Sequence, residues 1–152
     1  RGVMGPDEFH EQYPNATTGG LVDNAYTNIM VAWLFVTLTK ARPAGLTPAL
    51  ATQLDTVRRR LTLNLSDSGI IEQFAGYEDL ARLDFDAYHK QYGDIARLDR
   101  SLKARGTTPD AYQVAKQADA LMAFYLLDEP VVRGLITDLG YQLPRDYFAR
   151  NL

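Results

Sequence analysis

The chain has 152 residues and a mass of 17.0 kDa, and 46% of its residues are hydrophobic, which is enough for one globular domain with a buried core. Its 16 Lys and Arg residues and 19 Asp and Glu residues give a net charge of −3, which disfavours nucleic acids and anionic membranes as partners. The absence of cysteine excludes disulfide frameworks, cysteine zinc sites and thiol nucleophiles.

The longest unbroken apolar run covers residues 29–36, whereas a membrane-spanning helix needs about 18 residues or more. The first residues form no charged leader followed by an apolar stretch, and the first residue is Arg1 rather than Met. We therefore expect a cytoplasmic protein without a membrane span, of which this sequence is a piece.

The first half of the chain predicts a loop followed by two helices. Residues 1–22 hold four glycines and two prolines without a helical period, which predicts a long loop. Residues 25–40 predict a helix that starts after Asp23 and Asn24 and is apolar on nearly every face, so it should be buried by neighbours. Residues 48–61 predict an outer helix with a single apolar face, and residues 65–77 predict a loop or a very short strand.

The second half predicts further helices. Residues 84–103 predict a short helical region broken near Gly93, and the cap-then-proline pair at 108–109 predicts a helix of about five turns that runs through Leu126. Another helix is expected from Glu129 to a stop at Gly140, and a last short one from residue 144. Because no stretch of useful length alternates like a strand, the fold class is predicted as all-α with inner and outer helix layers, in one segment over 1–152.

The densest cluster of ionisable groups lies in the first loop and contains Asp7, Glu8, His10 and Glu11. A carboxylate such as Glu8, pressed against aromatic rings and near other acids, should have a raised pKa, which suits a general acid. The alternative is a solvated acidic loop. A metal site is not predicted, because one histidine with carboxylates at i−3 and i+1 matches no strict ligand spacing.

A second polar group, formed by Lys116, Gln117 and Asp119, lies among apolar residues of the predicted five-turn helix. Lys116 and Asp119 could form an ordinary ion pair one turn apart. Alternatively, the three side chains could line a sugar site, since polyols need several fixed donors and acceptors. The sequence alone leaves both readings open.

Five short stretches, in order along the chain, resemble the glycoside hydrolase family 65 of maltose, trehalose and kojibiose phosphorylases. They are residues 2–11 (GVMGPDEFHE), 23–28 (DNAYTN), 72–77 (EQFAGY), 97–99 (RLD) and 116–119 (KQAD). The resemblance covers nearly the whole chain, and several motifs in order are far more specific than any single match. The stretch between the first two motifs, 12–22, is more similar to kojibiose-type members.

The resemblance implies an inverting disaccharide phosphorylase that attacks an α-glucosidic bond with inorganic phosphate and yields β-glucose 1-phosphate. Glu8 would be the general acid in a catalytic-acid loop over residues 1–22. Lys116 and Gln117 would hold the donor glucosyl unit, and Asp7 and His10 would contribute to the wall of the site. Phosphate is a co-substrate, and no cofactor is implied.

The family fold implied is an (α/α)6 barrel, of which this sequence supplies about half, so we expect little activity from the 152 residues alone. Expected partners are the disaccharide, phosphate, and the rest of the same domain or a second copy, which would cover exposed apolar faces. Two alternatives stay open: a glycoside hydrolase on the same scaffold, and a non-catalytic helical association module.

Overall fold

The computed structural model describes residues 2–6, 8–93 and 97–151, and within them the regular secondary structure is helical, with isolated β-bridges but no strand. The helices are α1 (Ala25–Ala41), α2 (Pro48–Arg58), α3 (Phe85–Tyr92), α4 (Leu98–Ala104), α5 (Asp119–Leu127), α6 (Glu129–Asp138) and α7 (Tyr147–Arg150), with short 3₁₀ turns at Tyr77–Asp79 and Pro109–Ala111. The predicted all-α class is confirmed. No helix of the described part is both long and apolar enough to cross a membrane.

Helix α1 is the centre of the fold and packs against α2, α5 and α6. Its contact face is formed by Ala25, Ile29 and Ala32, which are spaced by 4 and 3 residues and are fully buried. Two alanines on this face let α5 approach closely, and Ala123 of α5 is fully buried as well. The opposite side of α1 is more open, and Leu34 is 43% exposed.

The N-terminus of α1 is fixed by Asn24, whose Oδ1 accepts a hydrogen bond from the Thr27 amide at 3.0 Å. Asn24 itself has no exposed surface. Replacing a capping Asn by Ala costs about 1 kcal/mol, which is roughly a fivefold change in a local opening equilibrium.

We therefore expect Asn24→Ala to speed amide hydrogen exchange about fivefold in the first turn of α1. Hydrogen-exchange mass spectrometry of peptides covering residues 24–30 measures this effect. The matched control is Thr47→Ala, which removes the corresponding cap of α2 and should leave the first turn of α1 unchanged. Unchanged exchange in Asn24→Ala would contradict the capping role.

Several predicted elements are confirmed with small shifts in their ends. The region 84–103 contains α3 and α4, with the break after Tyr92 at Gly93, and residues 94–96 lie outside the described part of the chain. Residues 65–77 form a loop in which Leu65 and Ile71 make one antiparallel bridge.

The predicted five-turn helix beginning at residue 109 is wrong. Pro109–Ala111 forms only one 3₁₀ turn, the chain is extended at Tyr112, and α5 begins at Asp119. The segment is held out of a helix by Ala81, which donates its amide to the Ala111 carbonyl at 3.1 Å and accepts from the Gln113 amide at 2.7 Å. Backbone pairing between distant segments therefore outweighs the helical spacing of the apolar residues in this segment.

Candidate functional site

The loop over residues 2–22 is closed at its two ends by a backbone pair. Val3 and Leu21 exchange hydrogen bonds: the Leu21 amide donates to the Val3 carbonyl at 2.7 Å, and the Val3 amide donates to Leu21 at 3.3 Å. The Gly20 amide donates a further hydrogen bond to the Glu11 carbonyl at 2.8 Å. A Cβ at Gly20 would lie 2.5 Å from the Gly2 Cα, so the closure requires glycine there.

A second anchor of this loop is Asp110, which lies almost a hundred residues further along the chain. Its Oδ1 accepts the Glu11 amide at 2.8 Å and the Gln12 amide at 3.3 Å. Lys103 reinforces the contact through an ion pair with Glu11 at 2.8 Å. The loop is therefore fixed to the scaffold directly beside Glu8.

Glu8 is held by hydrogen bonds to both oxygens of its carboxyl group. Oε1 accepts from the amides of Phe9 at 2.8 Å and His10 at 3.1 Å and lies 2.7 Å from the His10 Nδ1. Oε2 accepts from the Gln73 Nε2 at 2.8 Å. The side chain of Glu8 has no exposed surface.

This environment favours the ionised carboxylate. Burial raises the pKa of Glu8, but the hydrogen bonds from His10 and Gln73 act in the opposite direction and together leave the pKa below its usual range. The expectation of a raised pKa is therefore wrong. The Glu8 side chain is buried, but the donors that face the carboxylate outweigh the effect of burial on its pKa.

His10 is fully buried directly behind Glu8. Its Nε2 lies 2.9 Å from the carbonyl oxygen of Tyr112, while its Nδ1 faces Glu8. The ring packs edge-on against Phe74, with 4.9 Å between centroids, and against Tyr77 at 5.9 Å. Both ring nitrogens are thus engaged within the protein, and a direct contact between His10 and a sugar stays an untested prediction.

Tyr77 completes the packing around this pair. Burial and the nearby charge of Glu8 raise the pKa of Tyr77 to about 12, so its hydroxyl group stays protonated and neutral throughout the physiological range.

A cavity of about 450 Å³ opens beside Glu8 between the first loop, α4 and the segment before α5. Its lining consists of Met4, Glu8, Phe9, Glu11, Arg97, Asp99, Lys103 and Lys116. Polar and charged groups dominate, with three cations beside three carboxylates. Such a surface suits a polyhydroxylated or phosphorylated ligand better than an apolar one.

The family model "Glycosyl hydrolase family 65 central catalytic domain" matches residues 1–152. The chain belongs to this family. The predicted family resemblance is thereby confirmed, and the helices described above are those of part of an (α/α)6 barrel.

Named relatives in family 65 include two phosphorylases. Trehalose 6-phosphate phosphorylase of Lactococcus lactis subsp. lactis (strain IL1403) is 46% identical over 152 residues, which are 99% of this chain and 20% of that protein. Kojibiose phosphorylase of Halothermothrix orenii is 30% identical over 147 residues, 84% of this chain and 17% of that protein. The expected similarity of residues 12–22 to kojibiose-type members stays a prediction.

An uncharacterized glycosyl hydrolase of Mycobacterium tuberculosis (strain ATCC 25618 / H37Rv) is 44% identical over 155 residues, covering 93% of this chain and 12% of that protein. The family 65 chain described here thus spans between about an eighth and a fifth of the length of its curated relatives. No solved structure matches it significantly.

The other predicted site residues of this family 65 chain fall in different places. Lys116 is exposed and lines the cavity beside Glu8, and the neighbouring Gln117 is exposed in the segment before α5. Both lie on a loop rather than on the predicted helix, because α5 begins only at Asp119. Asp7 lies outside the described residues, so its predicted place in the wall of the site stays a prediction.

Two partners of Glu8 and its loop were not predicted as functional. Gln73 is 7% exposed and lies between the buried residues Ile71 and Phe74. A polar side chain within such an apolar stretch is a signal in the sequence that could have identified it. Tyr112 contributes through its backbone carbonyl, for which a side-chain pattern gives no signal.

Proposed function

We propose that this chain is the part of an inverting disaccharide phosphorylase that carries the general acid, Glu8. The carboxyl group would protonate the glycosidic oxygen while inorganic phosphate attacks the anomeric carbon from the opposite face, giving β-glucose 1-phosphate. The observation that carries the proposal is the buried Glu8 carboxyl group, fixed by His10 and Gln73 in a residue that lines a charged cavity, in a chain whose named relatives include two phosphorylases.

One protein carboxyl group suffices for this chemistry. An inverting hydrolase needs a second carboxylate to activate water, whereas phosphate is already an anionic nucleophile. The nearby Glu11 is paired with Lys103, and its side chain is 66% exposed, which is a poor environment for a general base. Glu11 is therefore a weak candidate for the base that a hydrolase would need.

In this proposal Lys116 and Gln117 hold the donor glucosyl unit, and Asp7 contributes to the wall of the site. Phosphate is the co-substrate, without a further cofactor or metal. The disaccharide and the rest of the same catalytic domain, or a second copy, are the partners, and the protein is cytoplasmic. Because the Glu8 side chain is covered here, part of its loop must move for a sugar to reach it.

A phosphorylated disaccharide of the trehalose 6-phosphate type is the substrate we favour. Besides Lys116, the cavity offers the cations Arg97 and Lys103, and Arg and Lys side chains are the groups that recognise a sugar phosphate. The identity of 46% with a trehalose 6-phosphate phosphorylase, against 30% with a kojibiose phosphorylase, supports the same choice.

The deciding experiment measures glucose 1-phosphate released by the complete protein that contains these residues. Trehalose 6-phosphate, trehalose, kojibiose and maltose are each supplied with and without phosphate. Product that requires phosphate supports the proposal, and the best disaccharide defines the substrate. Free glucose released without phosphate would instead indicate a hydrolase, and no product with any sugar would indicate an association module.

A further inference from the structure

We propose that His10 is a positioning residue that holds the catalytic proton for Glu8, and this inference rests on the proposed general-acid role of Glu8. The fixed hydrogen-bond roles of the two ring nitrogens carry it. A backbone carbonyl can only accept, so the Nε2 that lies 2.9 Å from the Tyr112 oxygen must carry a hydrogen. The second ring nitrogen, Nδ1, is left to face Glu8 Oε1 at 2.7 Å.

One further proton lies between these two atoms. Without this proton, a lone pair on Nδ1 would repel the carboxylate oxygen 2.7 Å away. With two protons, one on each atom, the two hydrogens would point at each other. Neither side chain has any exposed surface, so a net charge on the pair would be costly. The Glu8–His10 pair is therefore neutral as a whole and retains a single shared proton.

The donors around Glu8 determine where that proton rests. Oε1 already accepts the amides of Phe9 and His10, and Oε2 accepts the amide group of Gln73, and all three contacts stabilise a carboxylate. The proton accordingly rests on Nδ1 of His10. This explains how a carboxyl group in surroundings that favour ionisation can still supply a proton at neutral pH.

The Glu8–His10 pair supplies one proton during the reaction and recovers one at its end. The Nδ1–H bond breaks as an O–H bond forms on the Glu8 carboxyl group, and that O–H bond breaks as the leaving sugar receives its proton. His10 is then neutral and still donates through Nε2 to Tyr112, and Glu8 is a carboxylate. The bond between the anomeric carbon and the glycosidic oxygen breaks as an oxygen of the attacking monohydrogen phosphate bonds to that carbon, and the proton of the phosphate returns to the pair.

Few other titratable groups face the pair among the described residues. Tyr77 packs on His10 and is neutral, and Phe74, which contacts both of these rings, does not ionise. The charged groups on the cavity side are Glu11, Arg97, Asp99, Lys103 and Lys116. Lys103 and Arg97 lie beside the carboxylates of Glu11 and Asp99, which limits their effect on the proton.

The test compares His10→Asn with the unaltered complete protein. The asparagine amide can still donate towards Glu8 but cannot hold an additional proton. We expect disaccharide phosphorolysis at pH 7 to fall by about tenfold or more, with the alkaline limb of the kcat profile moved by at least one pH unit towards lower pH. The matched control, His89→Asn, alters the exposed histidine of α3 and should change neither quantity.

Phosphorolysis of α-glucosyl fluoride separates proton supply from folding, because fluoride leaves without needing a strong acid. His10→Asn should keep this activity within a few-fold. Equal losses on both substrates at every pH, or an unmoved alkaline limb, would overturn the proposal and indicate a structural role.

A measurement independent of turnover uses ¹⁵N-histidine labelling of the complete protein, with the His10 signals assigned by their loss in His10→Asn. We expect both ring nitrogens of His10 to be protonated at pH 7, and Nδ1 to lose its proton in Glu8→Gln. An unprotonated Nδ1 in the unaltered protein would overturn the inference. Failure of the phosphorylase function is recognised separately, since the unaltered protein would then release no glucose 1-phosphate.

Discussion

Replacing Glu8 with glutamine in the complete protein is expected to lower phosphorolysis of the preferred disaccharide by about 10²- to 10⁴-fold, the usual contribution of a general acid. Glutamine has nearly the same shape as glutamate and keeps one oxygen that can accept a hydrogen bond. It has no proton to give to a glycosidic oxygen. Glucose 1-phosphate release, followed over time with phosphate in excess, measures the loss.

Two comparisons make this result specific. Phosphorolysis of α-glucosyl fluoride should change by less than about tenfold in Glu8→Gln, since its leaving group requires little protonation. Glu129→Gln is the matched control: it removes an exposed carboxylate of α6 that pairs with Arg133 and does not line the cavity, so activity should stay within a few-fold. Unchanged disaccharide turnover in Glu8→Gln would remove Glu8 from the reaction.

Replacing Gly5 with alanine is expected to reduce disaccharide phosphorolysis by about 100-fold, the loss typical of a catalytic group displaced by about 1 Å. A Cβ at Gly5 would lie 2.0 Å from Asp119 Oδ2 and 3.2 Å from Asn24 Nδ2. Both neighbours are fully buried at the starts of α5 and α1, and their short side chains have little room to move. The loop that carries Glu8, three residues further on, must shift instead.

The same substitution should lower the thermal unfolding temperature, because overpacking costs about 1–3 kcal/mol. Gly134→Ala is the matched control: this glycine lies within α6, has no neighbour within 4 Å of its Cβ position, and should be neutral or slightly stabilising. Full activity in Gly5→Ala would show that the Glu8 loop does not depend on this close contact.

The helices that could be predicted are those with at least one end marked by residues in or next to the helix. Asn24 caps α1, Thr47 caps α2 with Pro48 behind it, and Gly93 ends α3, so local patterns were sufficient. The segment before α5 could not be predicted, because its extended form depends on pairing with Ala81, about thirty residues away. Periodicity along one segment contains no information about such a partner.

The candidate site could be predicted only in part, because some of its groups come from distant segments of the chain. The acidic loop and Glu8 stand out in the sequence, and the motifs around them identify the family. The state of Glu8 depends on Gln73, which lies 65 residues away, and on the Tyr112 carbonyl, which fixes His10. His10, which lowers the Glu8 pKa most, is a neighbour in sequence, but its ring faces the carboxylate only because the folded chain brings the Tyr112 carbonyl to its other nitrogen. The direction of the Glu8 pKa shift therefore depends on contacts that the sequence pattern does not contain.

The backbone pair between Val3 and Leu21 has a practical consequence for engineering. Because the two ends of the loop meet there, residues 4–20 form an exchangeable cassette that could be transplanted between homologues with both attachment points unchanged. Donor cassettes would need glycine at the positions of Gly5 and Gly20 and an unobstructed approach to Asp110. Libraries restricted to residues 12–19 would then vary the linker while preserving the geometry of Glu8 and His10.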